Sequence, residues 1–311
     1  MGTHDADLDA AIIVDDLHMT YGRLHAVDGL SFRVARGEIY ALLGPNGTGK
    51  TTTIEILEGH RHRTSGHVRV FGHDPSRSRR RLRERIGIVL QSGGIDGELT
   101  VEELVRLYAT FYARPRDPAK TIDQVGLTEK RRSRARTLSG GQLRRLDLAL
   151  ALVGDPDLIF LDEPTTGFDP TARRSAWDMI DRLRGLGKTV LLTSHYLDEV
   201  QRLADRVGVL RHGHLIAESA PAELGGRDLA ETTIRFRLPD HAALTDLPIG
   251  PWHAVRSAGG EVAICTDLPT EALHCLTSWA VDRGRELEAL TVTRPSLEDT
   301  YPQLTEAHDG S

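Results

Sequence analysis

Gly44-Pro45-Asn46-Gly47-Thr48-Gly49-Lys50-Thr51 decides how the rest of the chain is read. The stretch fits G-x-x-x-x-G-K-[ST]. At average composition the bare pattern arises by chance in about 1 chain in 100 of this length, so its surroundings matter. Residues 39–43 before it are an apolar run that reads as a strand, and residues 51–58 after it read as a helix. In that setting the glycines let the backbone wrap closely enough for its N–H groups to face phosphate oxygens. The helix start adds partial positive charge. Lys50 is a point charge within reach of the β- and γ-phosphates, and the hydroxyl of Thr51, with Thr52 beside it in the cradle, suits Mg²⁺. The chain has four lysines in all, Lys50, Lys120, Lys130 and Lys188, so a lysine at a motif position carries more information than usual.

The second informative stretch is Leu158-Ile159-Phe160-Leu161-Asp162-Glu163. A buried strand that ends in two acids delivers them to the carboxyl edge of a parallel sheet, beside a phosphate loop. Asp162 then suits Mg²⁺, and Glu163 suits the attacking water as general base or positioner. Alone this pattern is weak; with the upstream loop it is not. Leu138-Ser139-Gly140-Gly141-Gln142 opens an apolar, arginine-bearing helix. A serine N-cap followed by two turn glycines would suit any helix start.

Taken in this order, the motifs resemble those of the ATP-binding-cassette family, whose signature is the LSGGQ of residues 138–142. The resemblance implies further assignments. Tyr21 matches the aromatic residue on which adenine stacks. Gln91, after the strand of residues 86–90, matches a glutamine that contacts Mg²⁺ and water and senses the membrane partner. Asp169, in Thr166-Gly167-Phe168-Asp169, matches a loop that crosses between two cassettes; Phe168 stands where the family usually has leucine. His195, in Thr193-Ser194-His195, matches the histidine that contacts the γ-phosphate. In this family two cassettes pair head to tail, so Ser139, Gly140, Gly141 and Gln142 are expected to cap an ATP held by the other chain. ATP and Mg²⁺ are the implied cofactors. A second cassette subunit, with a homodimer expected, and a separately encoded integral membrane permease are the implied partners.

Composition bounds the rest. The chain has 311 residues, 39% hydrophobic and 27% charged, enough for one large domain and a small one. A net charge of −6 argues against binding nucleic acid by bulk charge. Two cysteines, Cys265 and Cys275, exclude a disulfide scaffold. No stretch approaches the ~20 apolar residues of a membrane span, and residues 146–161 are broken by Asp147, Asp155, Pro156 and Asp157. The first ten residues are acidic and lack a signal-peptide core. The resemblance implies a place at the cytoplasmic face of the membrane, held by the permease. His60, His62, His67 and His73 cluster without a cysteine or acid at metal spacing. The arginine run of residues 77–85 reads first as a solvated helix face.

Short strands are expected at residues 11–14, 30–34, 68–71, 86–90, 158–161, 190–193 and 207–210, with helices near 171–186 and 196–204. Strands alternating with helices imply an α/β domain with a mainly parallel sheet; the family resemblance implies a P-loop cassette with an antiparallel β subdomain and a helical subdomain at about 92–151. The pattern changes near 221–228. Strands at 233–238, 261–266 and 287–293 with a helix at 271–283 imply a small α+β domain. The expected division is 1–226 and 227–311. Pro295-Ser296-Leu297-Glu298-Asp299-Thr300-Tyr301 resembles the PSLEDxF close of the daunorubicin-exporter type of ATP-binding subunit, as does Arg144-Arg145-Leu146-Asp147-Leu148-Ala149. That type pairs with an ABC-2 class permease and exports antibiotics or lipids. A soluble cassette ATPase of translation or repair, or a nutrient importer's ATPase, are the other readings.

Overall fold

The apolar run Ile39–Leu43 is β3, and all five of its residues are buried. In the computed structural model, which describes residues 9–89, 94–224, 231–238, 246–258 and 261–293, it lies inside a six-stranded sheet. The neighbours are β5 (Ile86–Val89), β6 (Leu158–Asp162), β7 (Thr189–Ser194), β8 (Arg206–Arg211) and β9 (His214–Ser219), in the order β5-β6-β7-β3-β8-β9. All pairs are parallel except β8 with β9. Strands covered on both faces read as continuous apolar runs, because each buried Val, Leu, Ile or Phe contributes roughly 1.5–3 kcal/mol. Residues 158–161 and 189–194 follow that rule, yet β7 ends in two buried hydroxyls, Thr193 and Ser194.

Register fixes the site. Leu43 pairs with Ser194, and Asp162 pairs with Thr193, so three strands end level with one another. The chain leaving β3 turns through residues 44–49 into α1 (Lys50–Leu57). A second, antiparallel sheet holds β2 (Leu24–Ala35), β1 (Ala10–Tyr21) and β4 (Ser65–Val70). β1 runs seven residues past the expected strand at 11–14, with a break in register where Asp16 takes a φ of 49°. The expected helical stretch contains α3 (Val101–Ala109), α4 (Pro118–Gln124) and α5 (Gly140–Leu152), with two short 3₁₀ turns. Thr100 caps α3 in a reciprocal pair with Glu103, satisfying two orphan N–H groups. Between β4 and β5 lies the short helix α2 (Arg79–Arg83), where Leu82 is buried and the four arginines are exposed. After β6 come α6 (Pro170–Gly185) and, following β7, α7 (Leu197–Leu203).

The chain divides into two compact units, 1–221 and 222–311. In the second, β10 (Thr232–Arg237), β11 (Ala254–Ala258), β12 (Glu261–Thr266) and β13 (Glu288–Thr293) form an antiparallel sheet ordered β11-β12-β10-β13. Its apolar face, Ile234, Phe236, Val262 and Ile264, packs with Leu276 and Trp279 of α8 (Pro269–Asp282). Among the described residues no helix is long and apolar enough to cross a membrane. Residues 295–301 lie outside the described residues.

Candidate active site

The loop after β3 has the shape its glycines require. Gly47 and Gly49 have φ of 84° and 95°, in the left-handed region that disfavours side chains. A Cβ on Gly49 would stand 2.3 Å from the carbonyl oxygen of Ala26, and one on Gly44 would stand 2.5 Å from that of Leu210. The backbone therefore comes close to its neighbours on one side and leaves Pro45, Asn46 and Gly47 exposed on the other. Thr48 ties the loop by donating to the Pro45 carbonyl at 3.0 Å. Thr52 is half-buried in the first turn of α1.

Lys50 folds back over this loop. Its Nζ donates to the carbonyls of Gly44 at 2.6 Å and Pro45 at 2.9 Å, and the side chain is buried. Burial pulls its pKa down; the nearby carboxylates, Glu163 first and then Asp162, oppose that pull. Nζ lies 3.6 Å from Glu163 Oε1. The ammonium is thus held at the loop by two carbonyls and an anion, which offset part of the cost of its burial.

Asp162 closes β6 beside the loop. Its Oδ2 accepts from Thr51 Oγ1 at 3.2 Å and its Oδ1 from Thr193 Oγ1 at 2.5 Å. An exposed hydroxyl and a carboxylate set side by side are hard oxygen donors, the type that Mg²⁺ takes. Among the described residues no group of three or more His, Cys, Asp or Glu forms a metal cluster.

Glu163 follows with φ 46°, a sparsely populated conformation for glutamate that costs about 1–3 kcal/mol. The turn is fixed by its N–H, which donates to Thr193 Oγ1 at 3.0 Å. Its Oε1 stands between Lys50 Nζ and His195 Nδ1, the latter at 3.3 Å. Its Oε2 accepts from Thr166 Oγ1 at 3.1 Å. The His195 contact is at ion-pair distance but is not aligned as a hydrogen bond, and Nδ1 is buried without another partner. The His195 ring lies 4.1 Å from that of Tyr196.

The structure thus brings Lys50, Thr51, Asp162, Glu163 and His195 together. It puts Ser139 to Gln142 and Asp169 in a different place, a groove of about 470 Å³ that Gly167 and Phe168 also line. Ser139 caps α5: its Oγ accepts the Gln142 N–H at 3.3 Å, and Gln142 Oε1 accepts the Ser139 N–H at 3.1 Å. Both are cap residues whatever else they do. Asp169 likewise caps α6, its Oδ1 accepting from the N–H groups of Thr171 and Ala172, each at 2.9 Å. Tyr21 closes β1 at the hairpin, 38% exposed, with the Arg61 guanidinium 5.3 Å over its ring. Gln91 lies outside the described residues. Sequence reading missed Thr193 and Thr166, the hydroxyls that fix the two acids. The available signal is the polar pair Thr193-Ser194 after the apolar run of residues 190–192 in β7.

Comparison with known proteins fits this geometry. Residues 27–166 match the family described as ABC transporter, and residues 232–296 match "ABC transporter domain-containing protein-like, C-terminal domain". The chain is 37% identical to Nod factor export ATP-binding protein I of Paraburkholderia xenovorans (strain LB400), over 96% of this chain and 97% of that protein. It is 45% identical to the daunorubicin/doxorubicin resistance ATP-binding protein DrrA of Streptomyces peucetius, over 74% of this chain and 71% of that protein. Among solved structures, cbiO1 from Clostridium perfringens, part of the ABC transporter complex cbiONQ, matches with a TM-score of 0.65 at 30% identity, covering 70% of this chain and 90% of that one. A phosphate loop, two acids at the end of a buried strand and relatives matched along nearly the whole chain lead to one conclusion: this chain belongs to the ABC transporter family, as an ATP-binding and ATP-hydrolysing subunit.

Proposed function

We propose that this subunit powers an exporter, pairing with a second cassette and with a separate permease that does the spanning, at the cytoplasmic face of the membrane. The relatives named for Nod factor export and for daunorubicin/doxorubicin resistance support export, with drugs, antibiotics or lipid-like molecules as the cargo class. No observation favours a soluble ATPase of translation or repair, or an importer's subunit. The C-terminal region, 227–311, is read as an accessory domain that regulates or steadies the dimer beside a cassette of 1–226.

One observation carries the catalytic reading: Glu163 Oε1 lies between Lys50 Nζ at 3.6 Å and His195 Nδ1 at 3.3 Å, next to the Thr51–Asp162 pair. The loop N–H groups and the α1 terminus take the phosphates, and Lys50 leaves its carbonyls for the β- and γ-phosphate oxygens. Thr51 and Asp162, with Gln91, would hold Mg²⁺, which when bound offsets phosphate charge. Glu163 takes the proton of the attacking water. His195 meets the γ-phosphate from the far side, and Tyr21 offers its ring to adenine. Ser139 to Gln142 and Asp169 serve the partner's ATP: among the described residues none of them is hydrogen-bonded or ion-paired to Lys50, Glu163 or His195, so each chain carries two half-sites. A two-fold dimer completes both from the same residues.

Steady-state ATPase of Glu163→Gln tests the catalytic reading. Losing the base is expected to cost roughly 10²–10⁴-fold in turnover while ATP still binds. Parental turnover would overturn the assignment. Co-purification from membranes with a polytopic partner tests the transporter reading; a chain that leaves membranes without any such partner would contradict it.

A further inference from the structure

Glu199 on α7 is buried to within 1% of its surface, and its carboxylate meets three donors from three segments. Its Oε1 accepts from Thr165 Oγ1 at 2.8 Å and Trp177 Nε1 at 3.2 Å. Its Oε2 accepts from Ser194 Oγ at 2.6 Å. These partners are not scattered. Thr165 lies two residues after Glu163, within the turn that runs on to Asp169. Ser194 precedes His195 and also accepts the Tyr196 N–H at 2.9 Å, so it brackets the histidine from both sides. Trp177 lies on α6, the helix that Asp169 caps.

Arg144 of the signature helix lies within electrostatic range of the same carboxylate. Arg144 on α5 is buried, and desolvation lowers its pKa; the negative charges that oppose this are Asp147, then Asp162, then Glu199. Burial raises the Glu199 pKa, and its bonds from Ser194, Thr165 and Trp177 pull it back. A surface helix does not need a buried acid with three side-chain donors. Two loops that must keep a fixed relation do.

We propose that Glu199 is a positioning residue for ATP hydrolysis, which clamps the His195 turn and the Thr165–Asp169 turn into one rigid piece. The clamp keeps His195 at its place beside Glu163 and sets Asp169 in the signature groove, so that the cis histidine and the trans-facing turn move together. The proposal rests on the reading of Glu163 and His195 as catalytic residues. The side-chain hydrogen bonds of Glu199 go to Thr165, Trp177 and Ser194, and none goes to loop residues 44–51.

The test is a set of variants of the full chain, with turnover measured per folded molecule and affinity for a non-hydrolysed ATP analogue measured by titration. Glu199→Gln keeps the volume, but its one carbonyl oxygen cannot serve three donors. Its turnover is expected to fall roughly 10- to 100-fold, the scale of a misplaced catalytic group, with analogue affinity within about threefold of the parent. Combining it with Ser194→Ala is expected to cost no more than the worse single change, since both cut one link. Losses that multiply would overturn the clamp. If Glu199→Gln fails to fold, Thr165→Val and Ser194→Ala carry the test, because each leaves the acid in place. Both must lower turnover, and Thr165→Ser must restore it; parental turnover in either Thr165→Val or Ser194→Ala overturns the inference. His195→Ala separates the two claims. If it is inactive while Glu199→Gln turns over like the parent, the clamp alone fails. If it is itself as active as the parent, the catalytic reading fails first.

Discussion

Replacing Glu58 by glutamine is expected to protect the chain against heat at high pH and to change little at low pH. Glu58 ends α1, eight residues after Lys50, and is 5% exposed. Its Oε2 is hydrogen-bonded with His60 Nδ1 at 3.1 Å, and its Oε1 has no hydrogen-bond partner. Desolvation first, then the charges of Asp162 and Glu55, push its pKa from 4.5 up to about 8. His60 gives little countercharge: burial, and then Arg79 and Arg83, hold its pKa below the ordinary value. The folded chain therefore keeps a proton on Glu58 that the unfolded chain gives up. Below pH 4.5 both states hold it and there is no cost. Between 4.5 and about 8 the folded state loses about 1.4 kcal/mol for each pH unit. Above that the loss levels off at roughly 5 kcal/mol. Glutamine carries no charge and escapes this loss. For a unit of this size that corresponds to a gain on the order of 10 °C in Tm over the parent. The assay is Tm against pH, from 5 to 9, for both proteins without nucleotide or Mg²⁺. A difference in Tm that stays constant across that range would refute the reasoning.

Other expectations follow from the loop and its lysine. Lys50→Ala removes the one ammonium folded over the loop, and ATP affinity by direct titration should fall at least tenfold; unchanged affinity would count against the loop's role. Gly49→Ala puts a Cβ 2.3 Å from the Ala26 carbonyl at a φ of 95°, so it should lower Tm and weaken ATP binding together. Parental values of both would mean that the backbone there is free to move. Thr193→Val removes the hydroxyl that Asp162 and the Glu163 N–H share, and should lower turnover more than ATP affinity; a loss confined to affinity would place its role in binding alone.

How much of this was legible depended on the kind of constraint. The loop at 44–51 and the acids at 162 and 163 could be read because phosphate binding admits few residue types at those steps. The parallel strands could be read because burial on both faces favours unbroken apolar runs, with Thr189, Thr193 and Ser194 of β7 as buried exceptions. β9 and β11 could not. β9 is an edge strand of mixed exposure, and β11 is AVRSA, five residues without a clean alternation. Only the first part of β1 shows in the sequence because Asp15 and Asp16 interrupt its apolar pattern, whereas the chain absorbs them in a register break. The acids Glu58 and Glu199 were invisible for a different reason. Each lies near the end of a short helix, where a sequence predicts a solvated carboxylate, and only packing from other segments buries them. Ser139 and Asp169 show the reverse case. Their residue types serve both a helix cap and a proposed trans contact, so neither sequence nor cap geometry separates the two roles.

The central claim is that each nucleotide site is completed by a second copy of the chain. Light scattering of Glu163→Gln with and without ATP tests it most directly, repeated with Ser139→Arg added. The account predicts a monomer without ATP, a dimer with it, and a monomer again when arginine fills the signature cap although ATP still binds Lys50 and Thr51. A Glu163→Gln chain that binds ATP and stays monomeric, or a dimer that Ser139→Arg leaves intact, would contradict it.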